Sequence, residues 1–360
     1  IMDADVIIAG AGLVGLALAR ELSGHGLRVM IFDAGAAARQ SSWAGAGMLS
    51  GRQTSDPRLR PLAIASARLY PTWAAGLERE TGMIIGYRPG GALFLASASH
   101  PAPAPQLEGW QKVQPAQLAD LEPQLRCTAS MEAWLIADDH SVDNRALSAA
   151  LLASVRARSL ALIENAPVST IAAQPGGGLV VTAAGERHHA PVVVNAAGAW
   201  ASQIAAPVSV PVRPRKGQML RLHSASVALR HVIESEDVYL VPRANGRVIV
   251  GATVEDVGFA PELDPGCLAA FRRSAVALVP ALADARVEEA WAGFRPCSSD
   301  ELPILGPTSC PGYWLAAGHY RDGILLAPIT AKIITSAITK GYLTSALDLK
   351  PFRPGRFAAA

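Results

Sequence analysis

The tightest constraint on this chain is a glycine turn near its start. Gly10-Ala11-Gly12-Leu13-Val14-Gly15 follows the short β-rich apolar run Asp5–Ala9, and Leu13 to Ser23 then carry apolar residues at helical spacing, closed by Gly24 and Gly26. A strand, a tight turn and a helix in that order make a phosphate cradle. Gly10 permits the sharp turn, Gly12 lets the backbone approach a pyrophosphate, and Gly15 allows the helix to pack closely on the strand. The helix start supplies free N–H groups and partial positive charge for the anion. A second apolar run, Leu27–Phe32, ends at Asp33, about twenty residues on, where a carboxylate can accept from ribose hydroxyls. The turn alone is also compatible with an ordinary bend in an alanine-rich chain. With strand, helix and acid in register it predicts a dinucleotide site, without separating FAD from NAD.

Downstream, Ala34 to Ser50 is a small-residue loop too long for a plain connection, and such loops in compact domains are usually functional. A helix is expected at about 57–81, strands at 84–96 and 130–137, and an exposed loop at the Pro/Ala segment 101–105. Asp143 is a candidate N-cap for a helix running to about Ser159. Short strands follow near 161–164, 167–173, 178–183 and 191–195, the last ending in Asn195-Ala196-Ala197-Gly198-Ala199-Trp200, another passage from strand through turn to helix. Residues 212–254 read as mostly β and 265–279 as helix. The tail shows strands near 286–294, 302–305 and 313–317, then Gly318-His319-Tyr320-Arg321-Asp322-Gly323 and an apolar helix to about Gly341. This order suggests a nucleotide domain assembled from separate pieces, with a β-rich domain inserted between them.

Half of the 360 residues are apolar and 17% are charged, which excludes a disordered chain and allows two domains. A net charge of +2 without a long basic run gives no support for nucleic acid or an anionic membrane surface as partner. Cys127, Cys267, Cys297 and Cys310 lie far apart with no CxxC spacing, so neither a disulfide framework nor a metal site is expected, and a cytoplasmic setting fits. Residues 6–19 are apolar enough for a signal-peptide core, but Asp3 and Asp5 precede them where Lys or Arg belongs. No other uninterrupted apolar stretch reaches the roughly eighteen residues of a membrane span.

Two further segments separate the cofactors. The loop Ser41-Ser42-Trp43-Ala44-Gly45-Ala46-Gly47-Met48-Leu49 and the tail segment Gly318–Pro328 resemble the amino-acid-oxidising flavoproteins of the D-amino-acid oxidase and sarcosine oxidase type, and within them the glycine oxidases of the thiamine pathway. The likeness also covers Val6–Gly15, Val193–Trp200, Arg215–Gln218, Tyr239–Thr253 and Trp291–Gly306. It implies α/β plus α+β architecture: a discontinuous Rossmann-like FAD-binding domain with an inserted mixed antiparallel-sheet substrate domain. The expected division is 1–80, 142–210 and 292–360 for FAD, with 81–141 and 211–291 for substrate. The FAD is expected to be noncovalent, held by Gly10 to Gly15, Asp33, Ala34, Ser41, Ser42, Ala44 to Met48, Val168, Ala197, Gly198, Trp200, Arg295 and His319 to Ile324. Named singly, the less obvious members are Ala11, Leu13, Val14, Gly45, Ala46, Gly47, Tyr320, Asp322 and Gly323. Ser41 and Ser42 offer hydroxyls to phosphate or ribityl oxygens, and Gly45, Gly47 and Met48 let the backbone run close to the isoalloxazine. The tail turn starts a helix whose positive end faces the flavin pyrimidine edge. Ala46 stands where the family commonly has a third consecutive glycine, and Asp322 where it more usually has asparagine, so substrate range is open.

An enzyme of this kind must fix a carboxylate, keep the amine neutral and aim Cα–H at the flavin. Arginine suits the first task because its planar fork binds carboxylate in a bidentate way. By resemblance, Tyr239, Arg295 and Arg321 form the anion clamp. Each has another reading: a packing aromatic for Tyr239, an ion pair with Asp300 or Glu301 for Arg295, and a solvent-facing side chain for Arg321. His319 reads as packing or flavin contact in preference to a base; His140, His188 and His189 read as surface residues. Cys297 lies near Arg295, as a covalent flavin linkage needs, although its register differs from the sarcosine oxidases. Lys216-Gly217-Gln218 reads as a family turn or a solvated loop.

The resemblance implies oxidative deamination of glycine or a small N-substituted glycine, with dioxygen as acceptor and hydrogen peroxide, glyoxylate and ammonia or amine as products. In a thiamine-making organism the imine feeds thiazole assembly. Alternatives are a D-amino-acid or sarcosine-type oxidase or dehydrogenase, an enzyme that shortens an N-carboxymethyl amino acid, and a non-catalytic FAD-bound protein. Self-association is common among the relatives.

Overall fold

The computed structural model describes residues 3–54, 56–102, 108–128, 130–341 and 345–357. Val6–Ala9 is a fully buried strand at the centre of a six-stranded sheet, with parallel neighbours Val29–Phe32 and Val192–Asn195. Ala161–Ile163 extends the sheet beyond Val29–Phe32, and Tyr313–Ala317 extends it beyond Val192–Asn195. Ile304–Pro307 closes that edge antiparallel. A strand covered on both faces must be apolar at every position. Val6 and Ile8 pack into one core with helices Leu13–Gly24, Arg60–Thr81, Asn144–Ala157 and Gly323–Lys340. Ile7 and Ala9 pack into another, beneath the three-stranded antiparallel sheet Val168–Ala173, Leu179–Ala183 and Glu186–Ala190.

The second body is an eight-stranded mixed sheet in the order Arg286–Ser298, Val212–His223, Arg247–Gly251, Tyr239–Pro242, Val232–Glu234, Ala92–Ala96, Glu132–Ile136 and Trp110–Val113. Side chains alternate between its faces with period two. Leu93, Leu220, Leu222, Leu240, Val248 and Val250 pack on helix Pro265–Leu278. The opposite face presents Ala92, Met219, Tyr239, Val241 and Trp291, against which Trp43, Ala44, Ala46 and Met48 pack. A single loop from the first body therefore lines the inner face of the second.

Several expectations need correction. The expected boundary at 292 falls inside Arg286–Ser298, which pairs along its length with Val212–His223, so that strand lies in the larger sheet. Lys216-Gly217-Gln218 is neither a turn nor a loop: it lies within Val212–His223, and Lys216 is buried with its ammonium 3.2 Å from Glu255. His140, His188 and His189 are half-buried in strands rather than on the surface. Residues 84–91 approach strand Ala92–Ala96 without ladder pairing apart from a bridge at Arg88, and Glu186–Ala190 is an additional strand. Part of the 101–105 segment lies outside the described residues.

Gly323–Lys340 is long and apolar enough to cross a membrane by length and composition, with a mean hydropathy of 1.3, but 56% of it is buried inside this fold. Its apolarity is that of a core helix, since it packs on Leu13–Gly24 and Arg60–Thr81.

The Asp143 cap is present. Its carboxylate accepts from the N–H groups of Arg145 at 3.0 Å and Ala146 at 3.1 Å, ahead of helix Asn144–Ala157. Asp143→Ala should destabilise the protein by about 1 kcal/mol, read as a lowered thermal midpoint with the folded circular-dichroism spectrum retained.

Candidate active site

A cavity of about 1230 Å³ opens between the two sheets. Its first end is built by the opening turn. Gly10 has φ +106°, and a Cβ there would stand 2.4 Å from the Ala196 carbonyl oxygen; one on Gly15 would stand 1.9 Å from the Gly10 oxygen. Only glycine lets the turn, the neighbouring strand end and the helix start share this space. The Asp33 carboxylate accepts from the Ala11 N–H at 2.7 Å and the Gly35 N–H at 3.0 Å. Burial nevertheless raises its pKa above the usual carboxylate range. The Ser42 hydroxyl accepts from the Leu13 N–H at 2.9 Å, so it caps the helix that faces the cavity. The Ser41 hydroxyl donates to the Phe294 carbonyl at 2.5 Å.

The loop between these serines and Met48 is tied down from three sides. Asn144 Nδ2 donates to the carbonyls of Ser42 at 2.8 Å and Trp43 at 3.0 Å. Trp291 Nε1 donates to the Ala44 carbonyl at 3.0 Å. Arg243 Nη2 donates to the Ala46 carbonyl at 2.6 Å, and burial pushes this guanidinium's pKa down to about 10. Arg243 was not singled out from the sequence; its signal is an arginine closing the apolar run Val238–Pro242.

Of the residues anticipated for the cofactor, Gly10, Gly12, Leu13, Val14, Asp33, Ala34, Ser41, Ser42, Gly45, Ala46, Gly47 and Met48 line this cavity. So do Val168, Ala197, Gly198, Trp200, Arg295, His319, Tyr320, Arg321, Asp322, Gly323 and Ile324. Ala11, Gly15 and Ala44 do not. Ala11 is buried behind the turn, Gly15 seals helix to strand, and Ala44 packs against Gly293. Glycines at the closest approaches, a helix start whose one cap is a serine, and an elongated cavity between two sheets fit an extended dinucleotide.

Tyr239, Arg295 and Arg321, the residues anticipated for an anion clamp, line the same cavity. Arg295 Nη1 donates to the carbonyls of Thr253 at 3.0 Å and Lys216 at 3.3 Å. It lies across Gly217, where a Cβ would come within 2.4 Å of the guanidinium nitrogens. The alternative pairing with Asp300 is ruled out, because Asp300 binds Arg356 at 2.8 Å. Among the described residues Arg295 forms no ion pair. Tyr239 donates its hydroxyl to Met219 Sδ at 3.2 Å, and burial raises its pKa while the nearby Arg295 lowers it. Arg321 stands exposed at the cavity mouth, its guanidinium 5.1 Å from the Tyr320 ring centroid.

His319 is buried, its Nε2 is 3.0 Å from the Thr330 hydroxyl, and burial lowers its pKa to about 4. It is a neutral hydrogen-bonded packing residue. Cys297 is also buried, lies outside the cavity lining, and directs its thiol to the Ser298 carbonyl at 3.4 Å. Burial of Asp322 pushes its carboxyl up to about 6 despite Arg321 beside it. Phe94, Met219 and Glu234 also line the cavity without having been anticipated.

The FAD dependent oxidoreductase family profile matches residues 5–337. The chain is 33% identical to glycine oxidase of Geobacillus kaustophilus over 97% of this chain and 96% of that one. It spans about half the length of the Nostoc sp. bifunctional protein ThiO/ThiG: they are 36% identical over 94% of this chain and 53% of the relative. The crystal structure of the Geobacillus kaustophilus glycine oxidase superposes with a TM-score of 0.92 at 31% identity, covering 99% of both chains. That of iminodiacetate oxidase from Chelativorans sp. superposes at 0.85 and 28% identity, covering 97% of this chain and 98% of that one.

Asp139, fully buried beside the cavity loop, accepts from the Arg52 N–H at 2.9 Å. Burial pushes its carboxyl up to about 7, from an ordinary 3.8. A raised carboxyl pKa means that the folded chain holds a proton the unfolded chain releases. Its stabilising contribution is full below the ordinary carboxylate pKa and is lost as pH rises through about 7. The melting temperature should therefore fall as pH rises from about 5 to about 8, and Asp139→Asn should make that fall shallower.

Proposed function

Because the chain belongs to the family of FAD dependent oxidoreductases, we propose that it oxidises glycine or a small N-substituted glycine, with dioxygen as final acceptor. In balanced form, glycine, dioxygen and water give glyoxylate, ammonia and hydrogen peroxide; an N-substituted glycine releases the corresponding amine. FAD, when bound, supplies the two-electron acceptor. The observation that carries the substrate reading is Arg295, a guanidinium held on two backbone carbonyls with no carboxylate partner among the described residues.

The protein's part is positioning and electrostatics. Two carbonyl contacts orient Arg295 while leaving the far side of its fork for a carboxylate. Tyr239 stands beside it with its hydroxyl on Met219, a weak acceptor that a carboxylate readily replaces. Arg321 at the mouth adds positive charge on the approach side. The substrate's Cα is then held between the clamp and the Gly45–Met48 loop. His319 is neutral and already hydrogen-bonded, so no histidine base is assigned. Gly10, Gly12, Ser42 and the start of helix Leu13–Gly24 would hold the pyrophosphate, and Asp33 the ribose. In the same reading, the segments 1–80 and 142–210 and the tail beyond Ser298 carry the cofactor, while the eight-stranded sheet covers the substrate.

The test is peroxide release from glycine, sarcosine and D-alanine by the wild type and by Arg295→Ala. Loss of the charge-assisted contact should cost on the order of 2–3 kcal/mol, about a hundredfold in kcat/KM. An unchanged KM in the variant, or no peroxide from any of the three, would contradict the reading.

A further inference from the structure

The row of side chains facing the cavity from the larger sheet does not end at Tyr239. Strand register pairs Met219 with Gly251, Gly251 with Tyr239, Tyr239 with Glu234, and Glu234 with Phe94. Residues directly opposite in neighbouring strands share a face, with Cβ atoms about 5 Å apart. Glu234 therefore stands immediately beside Tyr239, and Phe94 lies one strand further on. Met219, Tyr239, Glu234 and Phe94 all line the cavity. His100 lines it too, stacked on Phe94 with ring centroids 5.1 Å apart. The cavity continues past the carboxylate clamp by two strand spacings, about 10 Å. Glycine itself does not reach that far.

Charge changes sign along this arm. The clamp brings the Arg295 guanidinium to the wall beside Tyr239; one strand beyond Tyr239, at Glu234, the wall carries a carboxyl. Oε1 of Glu234 is buried without a hydrogen-bond partner, and among the described residues no cation pairs with Glu234 at salt-bridge distance. Its neighbours are the Gln53 amide, Asp139, Tyr239 and, at longer range, Arg321. Arg321 is exposed at the mouth, where solvent screens it. Burial raises the Glu234 carboxyl to about 7, so near neutral pH it is poised to gain from an arriving cation.

We propose that this arm receives the nitrogen substituent of an N-substituted glycine, and that Glu234 selects a substituent bearing an ammonium or other hydrogen-bond donor over one bearing a second carboxylate. The proposal rests on the clamp reading above. With the carboxylate held at Arg295 and Tyr239, the amine stands next to the clamp, and a substituent on it leaves along the neighbouring wall. A cationic group there keeps Glu234 ionised and supplies the partner it lacks. A second carboxylate meets a like charge in a partly dry site. Phe94 and His100 then provide a flat surface for the remainder of the substituent.

The test measures kcat/KM by peroxide release from the holoenzyme, above the pH at which Glu234 ionises, with glycine, sarcosine, N-aminoethylglycine and iminodiacetate. N-aminoethylglycine should exceed iminodiacetate by at least about tenfold. Glu234→Gln should bring that ratio close to one, and Glu234→Asp should keep part of it, each with FAD content and melting temperature checked. Equal or reversed preference in the wild type overturns the proposal even if the variants do not fold, as does an unchanged ratio in a folded Glu234→Gln protein. Oxidation of glycine and sarcosine without the expected preference sinks the arm and leaves the clamp standing. Silence with all four amines sinks the oxidase reading and the arm with it.

Discussion

The Ser41–Met48 loop has to satisfy both sheets at once, and the site depends on how it does so. Its serines reach the first body and the end of the second: Ser42 takes the Leu13 N–H at 2.9 Å, and Ser41 donates to Phe294 O at 2.5 Å. Its backbone carbonyls are taken by Asn144, Trp291 and Arg243. A loop whose carbonyls were left unpaired in a buried groove would be costly, at roughly 1–3 kcal/mol per group. Here the donors come from helix Asn144–Ala157, from strand Arg286–Ser298 and from the residue that follows strand Tyr239–Pro242, so the loop geometry is set by the relative placement of these elements. At Gly47, φ is +73° and a Cβ would stand 2.0 Å from Val142 O, so the loop passes Val142 in a conformation suited to glycine.

This arrangement separates binding from chemistry. The glycine turn and the serine-capped helix form a positive, backbone-lined end suited to phosphates. The opposite wall is formed by side chains of the larger sheet, among them Met219, Glu234, Tyr239 and Arg295. Burial sets protonation around it: His319, in the turn after strand Tyr313–Ala317, is lowered to about 4 and stays neutral, while Arg243, behind the Ser41–Met48 loop, is lowered only to about 10 and stays charged. Arg295 donates to two backbone carbonyls and, among the described residues, forms no ion pair. A cavity wall that sets a guanidinium beside a phenol is complementary to a carboxylate.

Much of this was legible in the sequence because it is local. The strand, turn and helix at Val6–Gly24 need only nearest-neighbour physics, and the Asp143 cap is a four-residue signal. Arg295, Tyr239 and Arg321 are singled out by family likeness alone, since nothing in their local sequence shows that they line one cavity. What escaped reading depends on register between distant segments. Glu234 and Phe94 are neighbours only because Val232–Glu234 lies parallel to Ala92–Ala96, far away in the chain. Lys216-Gly217-Gln218 looks like a turn because of its glycine, yet Gly217 is there to make room for the Arg295 guanidinium across a strand. Glu186–Ala190 lacks an apolar run and is held as a strand by pairing with Leu179–Ala183.

The central claim is that a small amino acid, fixed by its carboxylate, delivers two electrons to FAD in this cavity. Anaerobic addition of glycine or sarcosine to the purified holoprotein, followed by flavin absorbance, tests it most directly. The account predicts that the oxidised flavin bands bleach, return when air is admitted, and bleach far more slowly in Arg295→Ala. Bands that persist with every glycine derivative, or bleach equally fast in the variant, would contradict it.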